Sequence, residues 1–321
     1  MKDLVSVIIP AYNHEKYVQE AIQSIIEQTY QNIELIIIDD GSKDSTWQKI
    51  NEKKEICEKR FLNVTFETQE NQGTYTTLNR LLEKARGEYI YLIASDDIAT
   101  PKAIELEWEF LSKNPDFALV VGENLVIDQN GTQCYWNEKR ENVYSKDELV
   151  YSSFTDWLAK TTNQIDFYSN DFGSYESLLV CNYIPNGYLI RNNIFEKTGY
   201  FTKEAPLEDY WLMLQISKYA KMKYINEPTF YYRWHCENTI SQRGKIAKNH
   251  KKTLNFEIKQ VKASKDKKLK TLMKKYLANR HGKIIFKIPF IFEVYQRQEN
   301  ERKNRIIIVF LGLKLSVSKR R

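Results

Sequence analysis

Four short stretches carry residue types that do chemistry, each at the end of an apolar run. The first joins Pro10-Ala11-Tyr12-Asn13 to Asp39-Asp40-Gly41-Ser42. A carboxylate at a strand end accepts a hydrogen bond from a base N–H, and a nearby tyrosine stacks on the same ring. Gly41 lets the backbone turn closely there. The same Asp-Gly-Ser also serves as a helix cap. The second is Ala94-Ser95-Asp96-Asp97. Adjacent carboxylates repel unless a cation sits between them. Mg²⁺ or Mn²⁺ takes one or two carboxylates and completes its shell with diphosphate oxygens and water. The third is Glu208-Asp209, opening the apolar helix that continues Tyr210-Trp211-Leu212-Met213. A carboxylate there suits a general base for a hydroxyl nucleophile, although acids are favourable in any first helical turn. The fourth is Tyr231-Tyr232-Arg233-Trp234-His235. Arginine suits diphosphate, and histidine suits diphosphate or a metal; a surface strand with a satisfied histidine is the plainer alternative.

These groups need a scaffold that gathers them. Residues 4–10 and 33–39 are β-branched apolar runs and read as buried strands. Between them Val18, Ala21, Ile22, Ile25 and Ile26 follow a helical period. A charged helix over 44–60, a strand at 63–68, a helix marked by Tyr75, Leu78, Leu81, Leu82 and Ala85, and a strand at 88–95 follow. Thr100 is expected to cap a helix beginning at Pro101. This alternation predicts an α/β fold with a mostly parallel central sheet and helices on both faces. Ligands of such sheets bind beyond the carboxyl ends of the strands. Further strands are expected at 117–127 and 229–235, with helices at 193–198 and 207–220. Residues 132–180 are polar and aromatic, and read as a lid or an acceptor-binding insertion.

The net charge of +6 over 321 residues conceals an asymmetry. Residues 1–242 carry −13 and residues 243–321 carry +19. The basic segment reads as helical, and its apolar patches IIFKIPFIF and RIIIVFLGLKL suit contact with an anionic membrane. No apolar run is long enough to span a bilayer, and the first residues do not form a signal peptide. Four scattered cysteines without a CxxC pair fit a reducing cytosol. No nucleic-acid-binding signature accompanies the charge, and no GxGxxG follows a strand.

In order and spacing, VSVIIPAYN, IIIDDGS, Asn71-Gln72-Gly73, Gly87-Glu88-Tyr89-Ile90, SDD and the later Glu208-Asp209 resemble the family 2 glycosyltransferases of the GT-A fold, of the bacterial surface-polysaccharide type. The resemblance spans residues 4–127 and, less closely, 181–240. It implies inverting transfer of a sugar from a nucleotide-diphospho-sugar, most simply a UDP-sugar, to a hydroxyl of a glycan or lipid-linked saccharide. By the same resemblance Pro10, Tyr12, Asp39 and Asp40 hold the base, and Asn71 and Gly73 line the donor pocket. Asp96 meets the donor, Asp97 and His235 bind a divalent metal (Mn or Mg), and Arg233 meets the diphosphate. Asp209 is the catalytic base, with Glu208 beside the acceptor or donor sugar. The pattern departs from the family's DxD motif at Ala94, which leaves the metal to Asp97 with Asp96 near it. Residues 1–242 would form the GT-A domain, with a nucleotide-binding half at 1–127 and an acceptor-binding half at 128–242. Residues 243–321 would form the basic helical extension at the inner face of the cell membrane. The alternative function is a catalytically silent nucleotide-sugar-binding subunit, which would be expected to lack Asp97 or Asp209.

Overall fold

β-Branched runs become the strands of the computed structural model, which describes residues 2–162, 166–235, 238, 243–281, 283–288, 292–300, 303–310 and 313–320. The chain begins β1 (Val5–Ala11), α1 (Val18–Ile26), β2 (Ile33–Asp39), α2 (Thr46–Glu52), α3 (Lys54–Arg60), β3 (Asn63–Thr68), α4 (Thr74–Lys84), β4 (Tyr89–Leu92) and β5 (Ile98–Ala99). It continues α5 (Ala103–Lys113), β6 (Phe117–Ile127), β7 (Gln133–Trp136), β8 (Asn142–Val143), α6 (Phe154–Thr161), α7 (Tyr175–Val180), β9 (Tyr188–Arg191), α8 (Phe195–Thr198), α9 (Glu208–Ile216) and β10 (Lys221–Arg233). Every residue of β2 is buried, so both faces of the sheet are covered there, as its unbroken apolar run requires.

The main sheet runs β3-β2-β1-β4-β9-β6-β10-β5, with β7 and β8 added beside β6. β3, β2, β1 and β4 are mutually parallel. β9 is antiparallel to both β4 and β6. Two reversals restore the direction, so β6 and its parallel partner β10 point the same way as β4. The carboxyl ends of β1, β2, β4, β6 and β10 therefore share one rim, and β9 starts from it.

Two local expectations change. The single helix over 44–60 is two helices broken at Lys53, and the second packs on β3. Thr100 is not the cap of α5: Lys102 occupies that position, and the Thr100 hydroxyl instead donates to Pro228 O at 2.8 Å. The described residues of the stretch 132–180 pack around aromatic side chains, with Trp136, Phe154, Phe167, Phe172 and Tyr175 buried. Ser153 and Ser174 cap α6 and α7 by accepting from Asp156 N and Ser177 N.

The chain divides into two compact units, residues 1–256 and 257–321, so the division falls inside α10 (Arg243–Ala263) rather than at its start. The expected helical extension is corrected beyond 281. After α11 (Lys267–His281) come β11 (Lys283–Ile288), β12 (Phe292–Asn300), β13 (Lys303–Phe310) and β14 (Leu313–Arg320), a four-stranded antiparallel sheet in chain order. The reason is legible in hindsight. Ile306-Ile307-Ile308-Val309 is β-branched throughout, and Leu313-Lys314-Leu315-Ser316-Val317 alternates with period two. Among the described residues no helix is long and apolar enough to cross a membrane.

Candidate active site

The first part of the rim is built by β1, β2 and the loop after β3. Tyr12 is 43% exposed there, beyond the end of β1. Asp39 and Asp40 are both buried, and both carboxylates are engaged. Asp39 accepts from Ser42 N at 3.2 Å, from the Ser42 hydroxyl, and from Thr68 Oγ1 at 2.9 Å. It therefore pins the turn after β2 to the end of β3. Asp40 Oδ1 accepts from Gln72 N at 2.9 Å and Gln69 Nε2 at 2.6 Å, while Oδ2 accepts from Gly73 N at 2.9 Å. Asp40 thus folds the loop carrying Asn71 and Gly73 over the strand ends. Gly41 allows this approach: its φ is +72°, and a Cβ there would stand 2.8 Å from Asn71 N and Gln69 O. A cavity of about 370 Å³ opens between the loop after β1 and the turn after β2, lined by Asn13, His14, Glu15, Lys16, Tyr17, Lys43 and Asp44. A larger hollow of about 550 Å³ lies at the opposite, amino end of β4 among Gly87, Glu88 and Asn192, away from these groups.

The second part of the rim gathers Asp96, Asp97, Arg233 and His235. β5 pairs antiparallel with β10, placing Tyr231 opposite Ile98, so the Asp96-Asp97 turn meets the carboxyl end of β10. The two aspartates face different ways. Asp96 keeps 13% of its side chain exposed; its Oδ2 lies 3.1 Å from His235 Nε2 and 3.8 Å from His14 Nε2. Burial opposes its charge, but the His235 hydrogen bond and the two imidazoles outweigh it and hold Asp96 below the usual carboxylate range. Asp97 is buried, and its Oδ1 accepts from Arg233 N at 2.8 Å. Burial, with Asp96 beside it, pushes Asp97 well above that range. The two neighbouring carboxylates are thus pushed in opposite directions.

The two carboxylates are therefore placed differently. Asp97 is turned into the protein, and Asp96 is the carboxylate beside His235. The Arg233 side chain is fully buried, and its guanidinium is engaged within the protein. Nε donates to Asp96 O at 2.7 Å, NH2 pairs with Glu20 Oε2 at 2.5 Å, and NH1 points at Asp128 O and Gln129 O at 3.4 Å. Among the described residues no cluster of three or more His, Cys, Asp or Glu is ready to hold a metal. Two donors nevertheless suit a divalent cation that brings other ligands with it: Asp96 Oδ2 and His235 Nε2, with His235 Nδ1 buried and lacking a hydrogen-bond partner.

The third part is Glu208-Asp209 at the start of α9. Asn182, in the segment leading to β9, donates from Nδ2 to Asp209 Oδ2 at 2.8 Å, and Tyr210 N donates to Oδ1 at 2.7 Å. Burial raises Asp209 despite these bonds. Burial pushes the hydroxyl of the buried Tyr232 up, and the carboxylates of Asp97, Asp96 and Asp209 act in the same direction. The sequence assigns no role to Glu20, His14 or Asn182, and marks Tyr232 only within the Tyr231–His235 stretch. Only His14, directly after Pro10-Ala11-Tyr12-Asn13, carried a local signal.

Burial, with a smaller contribution from Asp209, raises Glu208 to about 7 from its ordinary 4.5, against its backbone hydrogen bond and Lys245. A carboxyl raised on folding favours the native state fully below its unfolded pKa, and that contribution is lost as pH rises through the folded value. Wild-type protein should therefore lose stability between pH 5 and 8 relative to Glu208→Gln, which cannot ionise. Thermal unfolding at both pH values measures this, and a Tm gap that does not change with pH would refute the buried acid.

The geometry finds counterparts among known proteins. TarS residues 1–349 of S. aureus, in complex with UDP-GlcNAc, superposes with a TM-score of 0.60 at 17% identity, covering 87% of this chain and 72% of that one. A Pyrobaculum calidifontis mannosyltransferase in complex with GDP-Man and Mn²⁺ gives 0.58 at 16% identity, covering 86% and 69%. The fold is that of the GT-A glycosyltransferases. Residues 6–175 match the Glycosyl transferase family 2 profile, and the chain belongs to that family. A glycosyltransferase of Rickettsia typhi is 38% identical over 154 residues, 47% of this chain; the match spans only 45% of the Rickettsia protein's own length.

Proposed function

We propose that the chain catalyses inverting transfer of a sugar from a nucleotide-diphospho-sugar, a UDP-sugar, to a hydroxyl of a glycan or lipid-linked saccharide in surface-polysaccharide synthesis. What supports this reading is the family match over residues 6–175 together with two acidic sites on described elements: Asp96 beside His235, and the half-buried Asp209 held by Asn182. The UDP-GlcNAc held in the TarS complex makes a UDP-hexosamine the first donor to try.

In this reading residues 1–127 hold the donor and residues 128–242 the acceptor. Tyr12 stacks on the base, next to Pro10 and under the Asn71–Gly73 loop that Asp40 shapes. Asp209 accepts the proton of the acceptor hydroxyl, held in position by Asn182. The acceptor oxygen bonds to the anomeric carbon as the bond from that carbon to the diphosphate oxygen breaks, and the electron pair leaves with the nucleotide diphosphate. Glu208 lies next to the base, on the acceptor or donor sugar. Asp96 and His235 would hold Mn²⁺ or Mg²⁺, which would neutralise charge on the leaving diphosphate. The basic segment 243–321, with its apolar strands, would bring the enzyme to the anionic inner face of the cell membrane, where a lipid-linked acceptor lies.

A panel of nucleotide sugars, each with and without Mn²⁺ or Mg²⁺, tests the reading through release of free nucleotide. One donor should stand out with a saccharide acceptor present. Tight UDP binding with no turnover of any donor would instead identify a silent binding subunit.

A further inference from the structure

Arg233 occupies a position that its diphosphate role cannot explain. A guanidinium with no exposed surface must satisfy its charge and its donors inside the protein or destabilise the fold. It does so by gathering segments that are distant in sequence. The Asp96 carbonyl comes from the turn before β5, Asp128 and Gln129 carbonyls from the end of β6, and the Glu20 carboxylate from α1. The Tyr17 ring lies under the guanidinium, 4.9 Å from its centroid. The backbone of the same residue adds two more bonds. Arg233 N donates to Asp97 Oδ1, and Arg233 O accepts from Asn238 Nδ2 at 3.0 Å. Asn238 Oδ1 in turn accepts from His235 N.

Glu20 is the only carboxylate that the guanidinium meets among the described residues, and it is half exposed at 49%. It stands on the helix that follows the Tyr12–His14 loop. The donor loop, the Asp96-Asp97 turn and His235 are thus wired through one buried cation. We infer that Glu20 and Arg233 are positioning residues for the donor site: the Glu20–Arg233 pair fixes the Asp96-Asp97 turn relative to the loop after β1. This inference rests on the glycosyltransfer reading for its consequence, but not for its geometry.

Two variants and two measurements test it. Glu20 is reachable by solvent, so Glu20→Ala should fold, with water replacing the lost oxygen. Its donor KM should rise at least tenfold, while the acceptor KM stays within twofold. Glu20→Gln keeps an acceptor oxygen and should recover most of the donor affinity. Hydrogen exchange of the peptide holding residues 94–99 supplies a readout that needs no activity. Exchange there should accelerate in Glu20→Ala and return toward wild type in Glu20→Gln. A lower Tm with unchanged 94–99 exchange and unchanged donor KM would overturn the inference, leaving the pair purely structural. If the wild-type protein bound no nucleotide sugar, the functional reading would fail, and the exchange result alone would still decide for or against the tie.

Discussion

Asp209→Asn is expected to lower transfer by about three orders of magnitude while leaving nucleotide binding within twofold. General-base assistance contributes roughly 10²–10⁴ in rate, and each tenfold is about 1.36 kcal/mol of barrier. The substitution is nearly isosteric. In the variant the carboxamide oxygen can keep Tyr210 N, while its NH₂ faces Asn182. The Asn182 amide can turn over to present its Oδ1, otherwise unpartnered among the described residues, so the site should keep its shape. What is lost is the capacity to take a proton. The proposed donor pocket of Tyr12, the Asp40-shaped loop and Asp96 would be built from other elements, so the nucleotide should not sense the change. The raised Asp209 also fixes a sign: wild-type turnover should fall as pH drops and the carboxyl takes up its proton. Steady-state transfer and calorimetric titration with UDP, run on the same preparations, give both numbers. Turnover within tenfold of wild type would move the base elsewhere, with Glu208 the next candidate.

What the sequence disclosed and what it hid divide along a physical line. The strands Ile33–Asp39 and Phe117–Ile127 fall where the apolar runs put them, because a strand covered on both faces reads as a nearly continuous apolar run. The acidic strand ends were legible for the same reason. Their partners were not. Asp39 and Asp40 looked alike in the sequence, yet one braces a turn and the other folds a loop, because hydrogen-bond partners come from β3 and the loop after it. Asp96 and Asp97 looked interchangeable until the antiparallel pairing of β5 with β10 turned one toward the histidines and the other toward Arg233 N. Arg233 carried the right charge for a diphosphate, and only tertiary structure shows the Glu20 oxygen that claims it. Glu20 itself has no signature: an acid in the first turn of an amphipathic helix is ordinary. The C-terminal misreading has a different cause. The whole segment reads as helical in the sequence, but after residue 281 the β-branched and alternating runs form strands.

Asp40→Asn should produce the opposite phenotype to Asp209→Asn: donor affinity falls by about 10- to 100-fold, while turnover at saturating donor is largely kept. One carboxylate here serves three N–H donors, two of them the backbone amides of Gln72 and Gly73. Hydrogen bonds to a charged group are worth about 1.5–3 kcal/mol each, and 1.4 kcal/mol is a factor of ten in affinity. An asparagine can keep its oxygen on the Gln69 and Gln72 side, but its NH₂ then confronts the Gly73 N–H, donor against donor. Turning the amide over merely moves the conflict to Gln72. The loop cannot settle elsewhere, because Asn71 N and Gln69 O are already packed against Gly41 and Gly73 opens α4 with φ +85°. The loop should therefore swing off the strand ends, taking Asn71 and Gly73 away from the donor. A UDP titration should show the weakened affinity, and thermal unfolding should show a Tm lowered by several degrees, at about 2–4 °C per kcal/mol for a domain of this size. Wild-type UDP affinity with a lowered Tm would confine Asp40 to holding the fold and remove the Asn71–Gly73 loop from the donor pocket.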